Sequence, residues 1–156
     1  MGKFIFVISW ATILVLSLPV SPAAAASRPL DIQFEVQTIL DGTQPGHGPF
    51  AASGSAVDAG MICATGQTMD DSVKEAGLQS GRLANYQVYK RFICDDGLGE
   101  FLLKLQVLVD GRGNNYNWVV IDGTGNYEKL HGVGQGSGPQ TEYGVLDLFE
   151  GVAHIN

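Results

Sequence analysis

Positive charge is scarce in this chain. Nine Lys and Arg stand against 16 Asp and Glu in 156 residues, a formal net charge of −7. The basic residues Lys90, Arg91, Lys104, Arg112 and Lys129 are scattered rather than grouped. An acidic surface of this kind repels phosphate backbones, so nucleic acid is excluded as an expected partner. Histidine is equally sparse. His47, His131 and His154 lie far apart, without H-x-x-x-H or H-E-x-x-H spacing, so no metal site is expected. No G-x-S-x-G occurs: Ser137 stands between glycines in a different pattern, and Ser53 and Ser55 sit in a Gly/Ala segment, which argues against a serine hydrolase. Asp95-Asp96-Gly97 and Asp110-Gly111-Arg112-Gly113-Asn114 lack the spacing and distal Glu of a calcium loop and read as turns. No cofactor motif, charge block, linker or long amphipathic helix is present.

Long apolar runs are also lacking, with one exception. Phe4 to Val20 follows Lys3 and precedes Ser21-Pro22 and Ala23 to Ala26, the order of a signal peptide over residues 1–26. Cleavage after Ala26 would leave 130 residues, one domain spanning 27–156, with its charge moved from −7 to −8 by the loss of Lys3. No Cys stands at the cleavage point, so no lipid anchor is expected. The expected destination is secreted or periplasmic, with no membrane association after cleavage. Cysteine is limited to Cys63 and Cys94. An even count in an oxidising compartment predicts one disulfide. Closing a loop of about 31 residues is worth ~3–4 kcal/mol by loop-closure entropy.

What the chain has in quantity is glycine, 21 residues, and short apolar runs that alternate with polar residues. Leu30, Ile32, Phe34, Val36 and Leu40 fall on one face of a first strand, opposite Asp31, Gln33, Glu35 and Gln37. Phe50 to Val57 and Met61 to Thr65 read as strands rich in small residues, and Asp70 to Ala76 as a helical turn or two. Arg82 to Cys94, Glu100 to Asp110, Tyr116 to Asp122, Tyr127 to Val133 and Tyr143 to Phe149 follow as strands, with Val152 to Ile155 as a continuation. Gly132 to Gly138 reads as a bent strand entering a loop. Asp-Gly pairs at 41, 96, 110 and 122 supply hairpin turns. About eight antiparallel strands suit a closed barrel or a sandwich. The glycines favour the barrel, because closure needs bends and tight corners.

The segment Trp118 to Gly136, WVVIDGTGNYEKLHGVGQG, holds Gly123, Gly125, Tyr127, Gly132 and Gly134 at short intervals. It resembles the glycine signature of the allene oxide cyclase and dirigent barrel-like families, and more closely the small secreted bacterial proteins grouped with that barrel. Two further blocks carry the likeness: Gly60-Met61-Ile62-Cys63-Ala64-Thr65-Gly66, and Phe92-Ile93-Cys94-Asp95-Asp96-Gly97-Leu98-Gly99-Glu100-Phe101. The resemblance implies an eight-stranded antiparallel barrel with an apolar lumen, in families that are commonly trimeric. Allene oxide cyclases close a reactive fatty-acid epoxide, and dirigent proteins steer radical coupling of phenols. Neither activity transfers on the residues matched, which are architectural.

Site candidates follow from the inward faces. Phe34, Tyr86, Phe92 and Trp118 fall there and either fill the barrel or line a cavity; Phe34, Tyr86 and Trp118 are the candidates for contact with a small apolar or phenolic ligand. Asp147 alternates with Tyr143, Val145 and Phe149. Facing inward it would be a desolvated carboxyl of raised pKa, able to act as acid or base in an isomerase or cyclase working by confinement; facing outward it would meet solvent or another subunit. Leu102 and Leu108 interrupt the polar face shared by Glu100, Lys104 and Gln106, and read either as a homo-oligomer contact or as scattered exposed leucines.

Overall fold

The computed structural model describes residues 28–76, 83–110 and 113–156, so the expected signal segment lies outside the described residues. β1 (Leu30–Ile39) buries Ile32, Phe34, Val36 and Thr38 and exposes Asp31, Gln33 and Glu35. That is the period-two result of a strand with one dry face. β2 (His47–Ser53), β3 (Thr65–Glu75), β4 (Ala84–Cys94), β5 (Glu100–Asp110), β6 (Gly113–Gly123) and β7 (Leu130–Gly138) follow, then the short β8 (Gln140–Thr141) and the long β9 (Gly144–Ile155). Each strand from β1 to β7 pairs antiparallel with the next, β7 pairs with β9, and β9 returns to β1 from Leu30↔Ala153 to Ile39↔Gly144. The result is a closed antiparallel barrel of eight strands, with β8 an extra strand on β9. Closure gives every strand of the barrel a partner on both sides.

Several elements differ from the sequence expectation. Asp70 to Ala76 is not a helical turn: Asp70 to Glu75 continue β3. The inward residues of β3 are Gly66, Thr68 and Asp70, so the strand carries no hydrophobic alternation to announce it. The helical turn lies instead at α1 (Ser55–Asp58), which ends the strand expected through Val57. Met61 to Ala64 are bends and turns rather than strand. Tyr127 belongs to a 3-10 turn, Gly125–Tyr127, and β7 starts only at Leu130. From there it runs as strand through Gly138 and does not become a loop.

The glycine motif has a packing reason. Gly125 holds φ +58°, which glycine adopts without a Cβ penalty, and a Cβ there would sit 2.1 Å from the Leu98 carbonyl oxygen. At Gly134 a Cβ would lie 2.0 Å from the Glu150 carbonyl oxygen and 2.6 Å from the Trp118 ring. Inward glycines on β7 thus leave room for the large rings of β6 to lie across them. Trp118 Nε1 donates to the Gln135 carbonyl at 3.1 Å and Tyr116 Oη to the Leu148 carbonyl at 3.2 Å, so both polar tips are satisfied inside the wall.

The two ends of the barrel are built differently. The β2–β3, β4–β5 and β6–β7 connections gather at one end, which is plugged by α1 with Ala56 fully buried, by Ile62, and by the Cys63–Cys94 disulfide. Tyr127 closes the same end. Its ring packs on Phe101 at 5.6 Å and its hydroxyl donates to Asp96 Oδ2 at 2.9 Å, burial and that contact pushing its pKa up to about 12. Next to this plug the lumen is filled with rings. Phe34 lies 5.1–6.2 Å from Phe50, Phe92, Phe101, Trp118 and Phe149, and Phe92 stacks on Phe101 at 5.0 Å.

Candidate functional site

Beyond the aromatic layer, towards the opposite end, the inward positions turn polar. On β1 the sequence Phe34-Glu35-Val36-Gln37-Thr38 brings a hydroxyl inward two steps after the last buried aromatic. On β4, Lys90 keeps the parity of Val88 and Phe92 and therefore points inside. β3 contributes Asp70, β6 Asn114, and β9 Asp147, two residues before Phe149. Thr38, Asp70, Lys90 and Asp147 are only 2–7% exposed.

Buried polar groups are tolerable only when paired, and these form a chain. Lys90 Nζ lies 2.8 Å from Asp70 Oδ1 and donates to Thr38 Oγ1 at 3.1 Å. Thr38 Oγ1 donates onward to Asp147 Oδ2 at 2.7 Å. Asn114 Nδ2 donates to Asp147 Oδ1 at 3.3 Å, while Asn114 Oδ1 has no hydrogen-bond partner among the described residues. Gly138 makes room for this group: a Cβ there would lie 2.4 Å from Asn114 Oδ1 and 2.7 Å from Asp147 Oδ1. Burial raises the Asp147 pKa above the ordinary carboxylate value. The Lys90 charge and the Thr38 and Asn114 hydrogen bonds oppose that rise, and the Asp70 charge adds to it. Burial, helped by the Asp147 charge, also holds the Tyr116 phenol well above its usual range, so it is a neutral donor.

This network is the floor of a cavity of about 270 Å³. Its walls are apolar, with Val88, Leu105 and Val107 deep inside and Leu40, Val73, Tyr86 and Val145 nearer the end that the described residues leave open. The arrangement can grip a small body by its apolar surface while a polar head meets a hydrogen-bonded floor. No protein family, curated protein or solved structure matches the chain. The site therefore stands on its own geometry.

Of the residues singled out from sequence, Asp147 and Tyr86 line this cavity, and Asp147 takes the inward of its two orientations. Phe34 and Trp118, each 3% exposed, belong to the filled aromatic layer and do not line it. Cys63 and Cys94 form the disulfide at the plugged end. Leu102 is half-buried and Leu108 exposed on the outer wall. Among the described residues no three His, Cys, Asp or Glu converge as metal ligands, and no helix is long and apolar enough to cross a membrane. His131 and His154 stack across β7 and β9 with ring centres 5.2 Å apart, a pairing their separation in sequence hides.

Sequence reasoning missed Thr38, Lys90, Asp70 and Asn114. Lys90 counted only as one of the scattered basic residues, yet its shared parity with Val88 and Phe92 was a readable signal. Thr38 shows the same signal in β1. Asp70 gives none, because the segment Asp70 to Ala76 reads as a helical turn in the sequence.

Proposed function

We propose that this protein is an exported barrel that binds a small molecule with a compact apolar body and one polar head, held in the open end of the barrel. The observation that carries this reading is the cavity itself, an apolar-walled space of about 270 Å³ ending on Lys90, Asp70, Thr38 and Asp147. Binding pockets generally combine apolar walls with a few convergent polar groups and a perturbed titratable residue. The volume suits a single ring or short branched chain, a phenol among them, and not a long lipid. The disulfide and the apolar N-terminal stretch support export, and the likeness to allene oxide cyclase and dirigent barrels supports binding inside a lumen.

Native mass spectrometry of the protein purified from its own host tests the reading, together with amide-shift titration using p-cresol and benzyl alcohol. We expect shifts confined to the open end, abolished by Val107→Trp, which fills the cavity. Absence of both an adduct and any such shift would end this reading.

A second reading, an isomerase or cyclase acting by confinement, is favoured by one observation: the desolvated Asp147 carboxyl is a proton donor or acceptor inside the cavity. Asp147→Asn should then abolish turnover of a bound substrate without preventing its binding; retained turnover removes Asp147 from the reaction.

A further inference from the structure

The floor of the cavity is short of positive charge. Among the described residues that line it, Lys90 is the sole cation, facing the carboxylates Asp70 and Asp147. Lys90 lies directly against Asp70, 2.8 Å from its Oδ1, and among the described residues no other donor reaches that oxygen. That pair neutralises itself. Asp147 is left with neutral partners: the Thr38 hydroxyl on Oδ2 at 2.7 Å and the Asn114 amide on Oδ1 at 3.3 Å.

The remaining described residues of the lining add no positive charge. Tyr116 on β6 is a neutral phenol, β4 contributes Tyr86 and Val88, β5 contributes Leu105 and Val107, and β7 contributes Gly138. A buried carboxylate whose hydrogen-bond partners are all neutral, with the nearest cation bound to another carboxylate, is costly in its charged form. The rise in its pKa agrees with that imbalance. The hydrogen-bond inventory leans the same way, since Asn114 Oδ1 is a buried acceptor without a donor. One more donor bearing one positive charge would satisfy both deficits.

Building on the binding role argued above, we infer that the head group taken by this cavity is a protonated amine, paired with the Asp147 carboxylate, on a small apolar or aromatic body. An ammonium supplies the missing charge and its N–H donors at once. A carboxylate or phosphate head would instead meet an excess of acid. A neutral hydroxyl could donate to the floor without balancing it. The apolar walls beside Tyr86 accept the body in all these cases, so the head group decides the ranking. Amine binding favours ionised Asp147, so it displaces the proton that Asp147 holds in the empty cavity below its raised pKa.

The test compares benzylamine, benzyl alcohol and benzoate, which share one ring, by calorimetry and amide-shift titration on the oxidised protein. We expect benzylamine to bind roughly ten- to hundredfold more tightly than benzyl alcohol, the advantage of a charge-assisted contact, and benzoate weakest. Its affinity should rise with pH as Asp147 ionises, with proton release visible as a buffer-dependent heat. Asp147→Asn should lower benzylamine affinity to that of benzyl alcohol on the same variant, with its melting temperature at or above that of the parent. Should benzyl alcohol bind at the open end with benzylamine no tighter, the amine assignment is overturned while the binding role stands. If no probe shifts the open end, both fall.

Discussion

Along four of the strands, from the plugged end of the barrel to the open end, the inward residues change in kind within one or two steps. On β1, Phe34 gives way to Thr38; on β4, Phe92 to Lys90; on β6, Trp118 to Asn114; on β9, Phe149 to Asp147. Between β1 and β9 the backbone pairing is continuous through these positions, as in Phe34↔Phe149 followed by Val36↔Asp147, and only β3 is bulged opposite Lys90, between Asp70 and Ser72. The wall is therefore the same, and only the inward side chains separate a filled core from a cavity. At the plugged end rings interdigitate and exclude water. At the open end shorter polar side chains pair with each other along the floor and leave space above it.

The largest expected contrast lies between truncations in the two halves. Phe92→Ala, in the aromatic layer, should cost about 3–5 kcal/mol in urea unfolding, because the rings around it cannot collapse into the void. Tyr86→Ala, at the cavity wall, should cost under about 1.5 kcal/mol, since part of its surface is already exposed. Equal costs would show that the open end is packed as tightly as the plug.

Charge sharpens the comparison next. Lys90→Met leaves Asp70 buried without its ammonium and should cost about 3–5 kcal/mol, whereas Lys90→Met with Asp70→Leu should recover most of that loss. A double variant no better than the single one would mean that the ion pair does not act as a unit. Reducing the Cys63–Cys94 disulfide at the plug should cost ~3–4 kcal/mol. Ligand affinity at the open end should be unaffected below the melting transition.

The subtlest effect is on pH dependence. The folded-state pKa of Asp147 is raised, chiefly by burial. Its contribution to stability is therefore fully present below the unfolded value of 3.8 and is lost as pH rises through the folded value. Asp147→Asn should flatten that part of the stability–pH curve measured by thermal unfolding. An unchanged curve would place the pH dependence elsewhere.

Legibility followed hydrophobic contrast. β1 and β5 announce themselves because large apolar residues alternate with polar ones, and both were placed within a residue of their bounds. β3 is hidden because its inward positions hold Gly66, Thr68 and Asp70, and the second half of β7 reads as a bent strand entering a loop because its inward positions are glycines. Of the site, Asp147 and Tyr86 were visible from strand parity, with the face of Asp147 left open. Lys90 and Thr38 shared the parity of their neighbours but looked like surface residues, since polar residues on an inward face are the exception.

By itself the sequence determined an all-β chain, the pairing of its two cysteines and the positions of most hairpins. Those depend on local alternation, on turn residues and on counting. Only the tertiary structure decided that eight strands close, that Trp118 and Tyr116 lie over the glycines of β7, and that Thr38, Asp70, Lys90, Asn114 and Asp147 share one floor. Those residues come from five different strands, and their meeting depends on barrel closure and register. No local pattern in the chain encodes that meeting.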